Sequence, residues 1–564
     1  LEKNKEVTED FINTGIIIDD IPKEFNNWYG VLSSKEGGLG WLMWGDTEYT
    51  LSLELLKNLP TNIYSPAILD LYSSLLLSRA KSPETKEKKI NKKSLNSINE
   101  ELIKYQYFDE KVRLMIELGL NKKIKLLEES IPLEVRNFLF ERRLRDIRFN
   151  NIDIYYICEN IQNKLKEEEN KNFSRKLLIS CNIANKKNSS ALLALDLLEN
   201  DMKEEDYFFK VARNLIENER PVDISFKNME LPINLILSLN NKEQAKEAFK
   251  LFPLKLDRLI YKMKLYEIDD QIESLERLVN VGLYDKEDLK DEYEMYLESI
   301  PPQLLENNDL VKDNSVRIRS YLFQKAMQSS EEVERARNLN LLWEKAKDAG
   351  IEKAISYISS EIVSSIQPES KLNWFTLTAS KNLLFSNKTE NAKRWLFYGK
   401  INTSERASLD PNFCKALITL YLKDRDIYLE NKNLPEINFL LEILFNDINI
   451  DKKSLEKLMI SLKAIGVDIR NNLWQSFIFN NATKKEKKIN KEIINLQSLY
   501  FHLDYSLQKR NKAEVAIISI ILLSDYLENE NYQSLFNALE ALREVDLEIY
   551  AREIAFEINS NFLR

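Results

Sequence analysis

One histidine, three cysteines, eleven glycines and thirteen prolines in 564 residues set the first limits on this chain. A lone His502 cannot build an HExxH site, a His-rich zinc centre or a 2-His-1-carboxylate iron site, because each needs more than one imidazole. A Ser-His-Asp triad would have to use His502, which lies inside the helical stretch SLYFHLDYSL, and no GxSxG elbow occurs. His502 therefore reads as a structural or surface residue. The scarcity of Gly and Pro argues against sandwiches, barrels and Gly-rich nucleotide folds, and for helices with short connections. KEGGLGW, at 35–41, lacks the GxxxxGK[ST] spacing and the strand-turn-helix context of a phosphate loop.

Other absences narrow the partners. No apolar run reaches the roughly 18 residues of a membrane-spanning helix. The longest, Ala513–Leu523, contains Ser519 and reads as a helix buried on most sides. A formal charge of -9 gives no general attraction for nucleic acid. The local basic runs Lys86–Lys93 and Lys484–Lys491 are interrupted by Glu and carry no interleaved aromatics, so they read as solvated loops. Carboxylates are too many to pair by sequence, and Glu204, Glu205 and Asp206 fit the first turn of the helix that follows. The expectation is no catalytic, cofactor-binding or metal-binding residue.

What the chain does contain is helical pattern. Phe173–Arg220 shows three short amphipathic helices separated by polar turns, with Ala184, Ala191, Ala194 and Ala212 where helices must approach closely. From 150 to 300 a helix pair recurs roughly every 30 to 36 residues, the period of tetratricopeptide repeats, although no unit carries their full consensus. Ser65-Pro66 and Asp410-Pro411 are helix-start signals. Within Asn373–Lys400 the pattern predicts one helix with Trp374, Leu377 and Leu384, a turn at Asn387-Lys388, and a second with Ala392, Trp395 and Leu396 facing back.

The fold expected is all-α: an α-solenoid of degenerate helix-turn-helix, tetratricopeptide-like repeats with an irregular Gly- and Trp-containing N-terminal segment. Residues 1–60 form that cap or docking segment, 61–300 the first half of the solenoid, 301–330 a linker or bend around Pro301-Pro302, and 331–564 the second half, closed by its amphipathic terminal segment. Trp343, Trp374, Trp395 and Trp474 lie in amphipathic helices and read as core. Trp28, Trp41 and Trp44, in the irregular segment, read as anchors for docking on a partner or on the chain's own helices.

Cys158 and Cys181 lie on successive predicted helices joined by the polar turn Glu168–Asn172, and each belongs to an apolar stripe: Ile154, Cys158, Ile161 and Leu165 on one, Leu177, Cys181 and Ala184 on the other. They are either two buried thiols or a disulfide, which implies an oxidising compartment. Cys414 reads as a core thiol.

The stretches SPAILDLYSSLLLS (65–78), KLLISCNIANKKNSSALLALDLLENDMKEEDYFF (176–209) and ALEALREVDLEIYAREIAFE (538–557) resemble helical-repeat proteins exported to the periplasm in alphaproteobacteria. The resemblance implies an exported α-solenoid with the cysteine pair as a disulfide. Leu1, with no initiator Met, is compatible with an export signal removed upstream. The function expected is a non-enzymatic scaffold or adaptor binding protein partners in the bacterial envelope, as an accessory of a large machine such as the flagellar motor. Two alternatives are a superhelical protein of peptidoglycan turnover, similar to lytic transglycosylases, and a cytosolic tetratricopeptide-type peptide-binding adaptor with free thiols.

Overall fold

The computed structural model describes residues 30–61, 63, 65–81, 83, 107–115, 117, 118, 120, 123, 126, 127, 158, 161, 171–202, 207–218, 231–250, 253–298, 314–398, 410–431, 434–478 and 496–563. Among them every regular element is helical, and the bridge between Leu32 and Ser78 is isolated. Trp28, Ile16–Ile18, both lysine-rich runs, Glu204–Asp206 and Pro301-Pro302 lie outside the described residues. No helix among the described residues is long and apolar enough to cross a membrane.

The helices start where side chains satisfy their free N–H groups. Ser65 accepts from the Ile68 N–H at 3.2 Å, with Pro66 at the first helical position. Asp410 accepts from the Asn412 N–H, again ahead of a proline, and Asn241, Asp451 and Asn531 cap three further helices. Several turns close through a non-glycine residue in the left-handed region: Lys186, Asn387 and Asp546. Consecutive helices then pack as hairpins, among them Lys171–Ala184 on Asn188–Met202, Val316–Gln328 on Glu332–Ala349, Thr376–Phe385 on Thr389–Phe397, and Lys512–Asn529 on Tyr532–Glu544. Ala513–Leu523, expected to be buried on most sides, is buried at every position, Glu514 and Ser519 included.

The interior is partitioned differently from the expected halves. One core runs through Cys158–Leu265, and a larger one unites Leu39–Leu127 with Ile272–Leu563. Within the expected linker, Val316–Gln328 is a helix whose Arg319 pairs with Glu276 at 2.6 Å, both side chains at most 3% exposed. Tyr293 also donates to Glu276, so the buried carboxylate is surrounded by donors.

The hub of the larger core is the Glu548–Leu563 helix. It packs on Pro411–Lys423, Lys452–Ala464, Tyr532–Glu544 and Pro66–Leu77, burying Ala551, Ile554, Ala555, Phe556 and Phe562. Its polar residues are spent on neighbours: Asn559 donates to Ser461 Oγ at 2.9 Å, Lys423 pairs with Glu553 at 2.6 Å, and the Arg552 guanidinium reaches the Tyr421 and Leu422 carbonyls at the end of the 411–423 helix. The terminal segment is thus covered from several sides, by Pro66–Leu77 from the N-terminal part as well as by the helices at 411–423, 452–464 and 532–544.

That docking fixes the N-terminal segment. The Ala67 N–H donates to Glu557 Oε2 at 2.8 Å, the Ala513 N–H to the Met43 carbonyl at 2.8 Å, and Asn511 Nδ2 to Asp46 Oδ1 at 3.1 Å. Gly45 adopts φ +51° against Asn511, and a Cβ there would collide with the Asn511 side-chain amide. Trp44 is 1% exposed and meets Tyr107 edge-on at 5.9 Å. Tyr49–Lys57, expected to be irregular, is a helix whose apolar face rests on Lys512–Asn529.

Candidate functional site

The structure opens a groove of about 420 Å³ between two helix faces. One wall presents Asn340, Trp343, Glu344 and Lys347 of Glu332–Ala349, positions that share a face at helical spacing. The other presents Leu377, Thr378, Lys381 and Phe385 of Thr376–Phe385, and Asn412 begins the next helix at one end.

Behind its aromatic lining residues Trp343 and Trp374 lies a buried ring supplied by a short 3-10 turn, Ser370–Phe375, ahead of the second wall. Phe375 is fully buried, stacked on Trp343 at 5.4 Å with an interplanar angle of 3° and edge-on to Trp395 at 5.5 Å. Trp343 is fixed in turn by its indole N–H, which donates to Ser359 Oγ at 3.0 Å. Successive residues of a 3-10 turn point about 120° apart, so burying Phe375 turns Trp374 outward. Trp374 is 48% exposed on the groove rim, a correction to its expected core position.

The polar side chains are organised. Asn382 accepts from Ser356 Oγ at 2.7 Å and donates to the Thr378 carbonyl at 2.9 Å, which fixes its amide. Asn340 donates to Glu344 Oε1 at 2.8 Å. Burial pushes the Lys381 ammonium down to about 8, helped by the positive charges of Lys415 and Lys347 and opposed by Asp410. Lys415 lies over the Phe562 ring at 4.6 Å. The lining thus offers an aromatic shelf, fixed amides, and the ammonium groups of Lys347 and Lys381 set against the carboxylates of Glu344 and Glu352, a set suited to holding a ligand.

Trp374 and Lys381 were missed by the sequence reading, and two signals were available. In Trp374-Phe375 two adjacent aromatics cannot both face one core. Lys347, Lys381 and Lys415 follow one another at an interval of 34 residues.

The expected site residues fall elsewhere. Trp41 is 36% exposed, and its carbonyl accepts from the Lys81 N–H at 2.7 Å, which fixes its backbone on the chain itself. Trp44 is no candidate for docking a partner, since the chain's own helices bury it. Cys158 and Cys181 are bonded through their sulfurs with Cα atoms 5.3 Å apart, inside the smaller core. Cys414 is a buried thiol pushed up to about 12 by burial. His502 lies 3.3 Å from the carboxylate of Glu514, which also accepts from Ser506 Oγ at 2.5 Å. The Glu514 carboxylate beside it holds the imidazole above its ordinary range, against burial. Among the described residues no cluster of His, Cys, Asp and Glu is arranged to hold a metal ion. No known protein family, curated protein or solved structure matches the chain.

Proposed function

We propose that this chain is a non-enzymatic scaffold or adaptor that binds protein partners in the bacterial cell envelope, as an accessory of a large machine such as the flagellar motor. The observation that carries the reading is the groove beside Trp374: a half-exposed indole on a rigid aromatic stack, flanked by fixed amides and lysines, is the kind of anchor point around which protein interfaces concentrate their affinity. The α-solenoid reading is supported by the hairpin order of the helices and by the 34-residue interval of Lys347, Lys381 and Lys415, which is the length of a tetratricopeptide unit. The envelope reading is supported by the Cys158–Cys181 bond, since disulfides persist in oxidising compartments such as the periplasm.

The test is crosslinking in intact cells, followed by purification and mass spectrometry of what is attached. Envelope proteins recovered in amounts comparable to the bait are expected. A chain recovered alone, or with its cysteines mapped as free thiols under non-reducing conditions, counts against the scaffold and the compartment respectively.

A further inference from the structure

We propose that the two cores are joined by a salt-sensitive hinge at the turn 263–267, about which the body built on Cys158–Leu265 changes its angle to the larger one. Such a joint needs no partner, so it stands whatever the chain binds.

The cores meet where Pro253–Lys262 packs on Ile268–Asn280. Leu256, Leu259 and Ile260 of the first helix belong to the smaller core, and Ile272, Leu275 and Val279 of the second to the larger. Tyr261 crosses the boundary, half-buried, and meets Tyr284 edge-on at 5.3 Å. In the turn between the helices Lys264 and Tyr266 both take positive φ, +51° and +62°, a region that bulky side chains rarely occupy. Leaving it relieves both residues, so the backbone of the turn does not hold the angle.

Charges close the joint. Asp257, on the smaller-core helix, is 5% exposed and accepts from Arg277 of the facing helix, Nη2 at 2.7 Å and Nε at 3.0 Å. Lys264 pairs with Glu292 at 3.1 Å, Lys242 pairs with Asp270, and the field of Glu117 acts on Lys255 across the same boundary. In each case the counter-charge stands on the other body. The Asp257 pair also has a second state available: opening gives the carboxylate water and leaves Arg277, 45% exposed, beside Glu273 of its own helix at 3.9 Å. Polar seams of this kind between bodies of one chain permit relative motion, and salt weakens them where it would not weaken an apolar one.

The experiment puts nitroxide labels on the whole protein at Asn200→Cys and Gln328→Cys, exposed helical positions on the two bodies, and reads their separation by double electron–electron resonance. Cys414 is fully buried and stays unlabelled. A control pair, Gln328→Cys with Glu528→Cys, lies within the larger body. At low salt the first pair should give one narrow distance. At about 1 M salt, where the screening length falls to about 3 Å, a second population should appear while the control pair is unchanged. Arg277→Met leaves Asp257 without its counter-charge and should raise that population at least about tenfold at low salt. Adding Asp257→Leu removes the buried charge and should restore the single distance, an outcome that a folding defect would not give.

One narrow distance at both salt concentrations and in Arg277→Met overturns the proposal, and so does equal broadening in the control pair. The scaffold reading is decided separately by crosslinking in cells, since these distances are measured on the chain alone.

Discussion

The carboxylate of Glu557 accepts a hydrogen bond from the backbone N–H of Ala67 at 2.8 Å, across 490 positions of sequence. Ala67 belongs to the first turn of Pro66–Leu77, where the free N–H groups and the helix dipole favour an anion, and Lys353 adds its ammonium at 3.8 Å. Glu557→Ala should cost about 2–3 kcal/mol, the range for a buried hydrogen bond to a charged group. Thermal unfolding measures the loss, and limited proteolysis should cut the 30–81 region sooner than in the natural chain. An unchanged cleavage pattern would show that the docking does not depend on this carboxylate.

Glu276 and Arg319 are a second place where one truncation tells much. Removing the carboxylate with Glu276→Ala leaves a guanidinium buried without its counter-charge and should cost about 3–5 kcal/mol. Glu276→Leu combined with Arg319→Met should cost much less, because no charge is then buried. Urea unfolding of the two variants gives the comparison, and equal losses would contradict the assignment.

Reducing the Cys158–Cys181 bond frees a loop of 23 residues in the unfolded chain. For a loop of that size the loss is about 3 kcal/mol. The effect should be confined to the smaller core: hydrogen exchange in Lys171–Ala184 rises under dithiothreitol, while Glu548–Leu563 keeps its protection.

His502 and Glu514 link stability to pH in opposite senses. The folded imidazole is held above its ordinary value by Glu514, so its contribution is complete below the usual histidine range and fades as pH rises through the raised value. Burial alone would raise the Glu514 carboxyl, but the neighbouring His502 and the hydrogen bond from Ser506 carry it below its ordinary range. Its contribution fades as pH falls through that lowered value. The pair is therefore firmest in mildly acidic solution, and His502→Ala should flatten the alkaline side of a melting-temperature profile. A profile identical to that of the natural chain would exclude the linkage.

Local chemistry made much of the helical pattern legible. Ser65-Pro66 and Asp410-Pro411 start helices where their cap chemistry says, and the largely apolar stretch at 513–523 is buried throughout. Asn387 turns the chain between the paired helices at 376–397, and Trp395 faces back into the core. The long-range contacts were not legible, because nothing in SPAILDLYSS specifies a partner some 490 positions away. Asn559, buried, and Glu557, half-buried, are polar positions on the 548–563 helix that hint at cover on more than one side. The groove escaped notice because Trp374 sits on a 3-10 turn, where the 3.6-residue period assigns it to the wrong face.

The pairing of Pro66–Leu77 with Glu548–Leu563 also dictates an order of events during synthesis. A ribosome delivers the 66–77 helix long before its partner exists, so Ile68, Leu71, Leu75 and Leu76 remain without their final cover until residue 563 has emerged. Segments whose partners lie nearby, such as Lys171–Ala184 with Asn188–Met202, can settle as they appear. Pro66–Leu77 cannot, and an early terminated chain would leave it without the faces of Lys512–Asn529 and Glu548–Leu563 on which it packs.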